Sequence, residues 1–82
     1  MSINKKQFDR IRLLHQNLSR KRRYTWQQIQ ELYRNELGME VGRRTVYNDI
    51  SLLRDDFQAP IVSEKGGYFY SEPFSLYSIF NP

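Results

Sequence analysis

Arg44, Tyr47, Asn48 and Ser51 recur at three- and four-residue steps within GRRTVYNDISLL, residues 42–53. Each ends in groups suited to the edge of a nucleic acid base. The arginine fork clamps guanine O6 and N7, asparagine pairs with adenine N6 and N7, and a good bidentate pair is worth about 1–3 kcal/mol of discrimination. Tyr47 and Ser51 each add a hydroxyl. Arg43 falls nearer the buried side at the start of the same segment, which suits a phosphate better than a base edge. Four consecutive cations, Arg20, Lys21, Arg22 and Arg23, stand just ahead of Thr25, and Lys65 flanks a glycine pair. These six residues, with Arg43, are the candidate phosphate contacts. Val46, Ile50 and Leu53 lie at i, i+4 and i+7, so the segment is a helix with one face for a core and another for a ligand.

The charge distribution supports a polyanionic partner. The 82-residue chain has a formal net charge of +4, and residues 20–54 hold eight basic and four acidic side chains, so they carry the whole surplus. A localised surplus of this kind is what contact with a polyanion requires. Other chemistries find little footing. With one histidine and no cysteine, the chain offers no nucleophile and base pair and no metal constellation, so neither an enzyme nor a metal or cofactor site is expected. His15 reads as a packing or surface residue. The lack of cysteine suits a reducing cytoplasm, near the nucleoid for a DNA-binding protein. No apolar run approaches the roughly 20 residues of a membrane span.

The elements that position these residues follow from periodicity. Phe8, Ile11, Leu14 and Leu18 form the stripe of an amphipathic helix over residues 5–18. Thr25 and Gln28 form a capping box that starts a second helix, Trp26, Ile29, Leu32, Tyr33 and Leu37 give it an apolar side, and Gly38 stops it. Trp26 is in phase with Ile29 and Tyr33 and is expected to anchor the core. Gly42 caps a third helix running to about Asp55, where two aspartates oppose the negative end of the helix dipole. Residues 59–63 and 68–70 are β-prone runs around a turn at Gly66 and Gly67, a hairpin in which Pro60 fits only a strand start or an edge. Three helices followed by a hairpin is the order of a winged helix-turn-helix, mainly α with a small β-hairpin. The expected domain covers residues 1–71, and residues 72–82 form an apolar tail or the start of a linker.

The segment from Arg43 to Ile50, then Leu53, the run Ala59, Pro60, Ile61, and finally Gly66, Gly67, Tyr68 together resemble the N-terminal winged helix-turn-helix of bacterial WYL-domain transcriptional regulators (helix-turn-helix type 11, DeoR-like). The resemblance covers about residues 6–71. It implies a sequence-specific double-stranded DNA-binding module acting as a homodimer, with Arg44 and Tyr47 in the groove and a ligand-sensing WYL domain downstream that this chain lacks. The turn of residues 37–42 departs from the family's Leu-Gly-Val-Ser by two extra residues and by ending in glycine. Asp49 matches the family's aspartate and is expected to pair with a basic side chain.

A second reading is a winged-helix protein-interaction module without sequence-specific DNA binding. Its support is the tail, where Phe74, Leu76, Tyr77, Ile79 and Phe80 need a surface to cover them, in this domain, in a second protomer or in a further domain.

Overall fold

In a computed structural model, residues 4–75 are described. Helix α1 spans Lys5–Leu18, capped by Asn4, whose side chain accepts from the Gln7 amide. Helix α2 spans Trp26–Leu37, and α3 spans Arg43–Ser51. Strands β1, Ile61–Glu64, and β2, Gly67–Tyr70, form an antiparallel hairpin with Ile61 opposite Tyr70 and Glu64 opposite Gly67. The three helices and the wing enclose one core of Ile11, Leu14, Leu18, Ile29, Tyr33, Val46, Ile50, Leu52, Leu53 and Ala59. No described helix is long and apolar enough to cross a membrane.

Both ends of α2 follow from their capping residues. The Thr25 hydroxyl accepts from the Gln28 amide while the Gln28 side chain accepts from the Thr25 amide, so two otherwise orphaned donors are satisfied. At the other end Gly38 adopts φ +65°, its amide donates to the Arg34 carbonyl, and that of Met39 donates to Tyr33. The left-handed glycine with its amide bonded four residues back is the αL type of helix stop. The long turn that follows is tied back to α2. Gln30 donates to the Val41 carbonyl at 2.7 Å, Arg34 pairs with Glu40 at 2.9 Å, and Met39 and Val41 pack on the core.

The third helix ends differently from expectation. Regular α geometry stops at Ser51, and residues Leu52–Asp56 form a wide π-type turn in which the Phe57 amide donates to the Leu52 carbonyl. Adjacent leucines on a regular helix point about 100° apart. Here both Leu52 and Leu53 are buried, and the extra residue in the turn accommodates them. Helical backbone still finishes at the paired aspartates.

The hairpin is also shifted. Its two turn residues are Lys65, φ +53°, and Gly66, φ +79°, and both positive angles mark the mirror-image turn that matches strand twist. Gly67 is instead the first residue of β2, buried where a Cβ would run into the stem of Arg23. Strand β1 begins at Ile61 rather than at residue 59, and the Pro60 carbonyl accepts from the Ser71 amide just beyond β2. An unforeseen backbone bridge joins Tyr24 to Tyr68 at 3.0 and 2.7 Å, fastening the basic connection to the wing.

Beneath α3, buried Asp49 accepts from Arg10 Nε at 2.7 Å and from Nη2 at 3.2 Å. This is the basic partner expected for Asp49, and the bidentate bond raises the pKa of Arg10. The Tyr33 hydroxyl is buried with no hydrogen-bond partner among the described residues. Burial, with the Asp49 carboxylate nearby, pushes its ionisation far above the ordinary range.

Candidate nucleic-acid interface

Val46, Asp49 and Ile50 turn α3 onto the core, which leaves Arg44 and Asn48 exposed on its outer side. Neither makes a side-chain hydrogen bond or ion pair among the described residues, so both polar ends stay available to a ligand. Ser51 is half-buried at the end of the helix. Tyr47 is half-buried too, and its ring meets that of Tyr68 edge-on at 6.5 Å between centres. Burial first, and Tyr47 second, raise the pKa of Tyr68. Tyr68 thus packs between the wing and α3.

Arg43 is exposed but held. Its Nε and Nη2 donate to the Tyr47 hydroxyl at 3.1 and 3.0 Å, and its Cζ lies 5.0 Å from the Trp26 ring centre. Trp26, in the first turn of α2, is half-buried against the core, and its ring also carries this cation. The i,i+4 spacing of Arg43 and Tyr47 was a readable signal for their pairing. The tryptophan's part depends on how α2 crosses α3.

The basic connection divides. Arg20, Lys21 and Arg22 are exposed and make no ion pair among the described residues, and Lys21 turns the chain with φ +60°. Arg23 is drawn to the wing instead, pairing with Glu64 at 3.5 Å and lying over the Phe69 ring at 5.2 Å. The Thr25 oxygen is occupied as an acceptor by the helix cap, which leaves its own proton to donate. Lys65 stands exposed at the wing tip. The structure therefore gathers Trp26, Arg43, Tyr47 and Tyr68 at one junction and Arg23 with Glu64 at the wing. Among the described residues, no hydrogen bond or ion pair joins the side chains of Arg20, Lys21 or Arg22 to α3.

At the start of the tail, Phe74 packs within its own domain, 5.8 Å from the His15 ring and 5.6 Å from Tyr70. The rest of the tail from residue 76 lies outside the described residues. No group of three His, Cys, Asp or Glu side chains that could hold a metal occurs among the described residues.

No curated protein and no solved structure matches the chain. Residues 10–69, from within α1 to the second strand of the wing, match the model of the helix-turn-helix type 11 family, described as an HTH domain. That match spans well over half of the chain, with the three helices and hairpin in the same span. The chain belongs to the helix-turn-helix type 11 family, and a domain of this kind implies DNA as its partner.

Proposed function

We propose that the protein binds double-stranded DNA sequence-specifically as a transcriptional regulator. Helix α3 enters the major groove, where Arg44, Asn48, Tyr47 and Ser51 meet base edges. Arg20, Lys21, Arg22, Thr25 and Arg43 take phosphates, with Arg23 reaching the backbone only from its place on the wing, and Lys65 brings the wing tip to the backbone or the minor groove. The observation that carries this reading is the outer face of α3, with Arg44 and Asn48 exposed and, among the described residues, unpaired, on a helix whose other face is locked into the core. Such side chains specify sequence, while phosphate contacts set register.

One module of this size offers about 600–1,000 Å² to DNA, too little to separate one site from a genome of competitors. Two copies on an inverted repeat, half-sites about 10 bp or a multiple apart, multiply discrimination without a new kind of contact. Selection from a random duplex pool tests the reading. Enrichment of an inverted repeat, with Arg44→Ala or Asn48→Ala costing about 1–3 kcal/mol on the best duplex and little on random DNA, is the expected result. Equal losses on both would remove the base-reading role. A stable one-to-one complex on a site without inverted symmetry would remove the paired arrangement, and tight binding insensitive to salt would favour the protein-interaction module.

A further inference from the structure

Arg43 opens α3 between two aromatic rings, its Cζ 5.0 Å from the centre of Trp26 and 5.3 Å from that of Tyr47. Its Nε–H and Nη2–H both converge on the Tyr47 hydroxyl. A phenolic oxygen that receives two donors from a cation has little acceptor capacity left, and its remaining polar function is its own proton. Trp26 contributes from α2, since stacking restrains a long side chain that would otherwise sample many rotamers.

We propose that Trp26 and Arg43 fix Tyr47 as a hydrogen-bond donor toward DNA, so that Tyr47 selects bases presenting an acceptor and rejects those presenting only an amino group. Trp26 is a positioning residue, acting through Arg43 without reaching the bases itself. The proposal rests on α3 being the recognition helix. In the major groove guanine presents N7 and O6, thymine O4 and adenine N7, whereas cytosine presents only its N4 amino group. The base facing Tyr47 is therefore guanine, thymine or adenine, and cytosine is excluded. The Nη1 edge of Arg43 makes no bond among the described residues, so one guanidinium can orient Tyr47 and still meet a phosphate. Its replacement by alanine should weaken every site and relax this position as well.

Duplex selection with the wild type and with Tyr47→Phe identifies the position whose preference the hydroxyl controls. Bases lacking one atom then decide between acceptor and donor. A 7-deazapurine, or a pyrimidinone lacking O4, placed there should weaken the wild type several-fold and leave Tyr47→Phe unaffected. A loss that follows removal of an amino group instead would overturn the proposal. Trp26→Leu should reduce the preference at that position about two- to five-fold, Trp26→Phe should restore most of it, and Trp26→Leu should add nothing in the Tyr47→Phe protein. Losses that add, or that spread over all positions, would overturn the role of Trp26. If Tyr47→Phe leaves a selected preference intact, the proposal fails while DNA recognition stands. If the wild type enriches no sequence, the DNA-binding reading fails and takes the proposal with it.

Discussion

Lys65 carries a backbone conformation that its side chain opposes. With φ +53° it occupies the first central position of a turn that favours Asn followed by Gly, and Gly66 already supplies the second. Lys65→Asn should therefore relieve strain of up to about 1 kcal/mol and raise the melting temperature by several degrees. If Lys65 touches DNA, the same change should lower affinity modestly. Thermal unfolding and a binding titration on one variant would separate the two effects. His15 has a different dependence. Its Nδ1 lies 2.8 Å from the Tyr70 hydroxyl, and burial lowers its pKa below the usual 6.5. The unfolded chain then takes up the proton more readily, so this contribution to stability is complete above about pH 6.5 and declines as pH falls through it. Denaturant midpoints between pH 8 and 5 should show a decline that flattens in His15→Gln.

Among the elements, the wing depends on a residue distant in sequence. The stem of Arg23 occupies the space beside Gly67, while its guanidinium lies over Phe69 and pairs with Glu64. Gly67→Ala should displace that stem at a cost of about 1–3 kcal/mol. The cost should shrink in an Arg23→Ala background, where the space is open. Urea unfolding of the two single variants and the double variant would measure the coupling. Equal costs in both backgrounds would mean that the glycine serves the strand backbone and not the arginine.

Across the whole molecule, one ion pair ties the first helix to the third. Arg10 and Asp49 are joined by two hydrogen bonds, and Asp49 is fully buried. Asp49→Ala would leave a cation facing the core, a loss of about 3–5 kcal/mol. A domain of this size has only about 4–12 kcal/mol in total, so this variant should be largely unfolded near 37 °C by circular dichroism. Affinity is also set at this scale, through the field of the exposed cations. Replacing Arg20, Lys21 and Arg22 by Gln should reduce the slope of log affinity against log salt by about 0.9 for each phosphate that is no longer neutralised. An unchanged slope would make the run a solvated connection.

Local signals alone determined the helices and their boundaries, except the end of α3. Apolar spacing marked α1, the Thr25 and Gln28 box and Gly38 bounded α2, and Val46 with Ile50 set which side of α3 is buried, leaving Arg44 and Asn48 outside. These features depend on residues three or four apart, so a short window contains their cause. The assignment of Asp49 to a basic partner was legible as well, but not the identity of that partner. Tertiary structure decided what long separations bring together: Arg10 against Asp49, Tyr24 beside Tyr68, Arg23 filling the space over Gly67, and Trp26 closing on Arg43. It also decided the wide turn after Ser51 and the turn at Lys65 and Gly66. Burying Leu52 and Leu53 together and seating Gly67 under Arg23 are demands of packing, and no pattern of neighbouring residues encodes them.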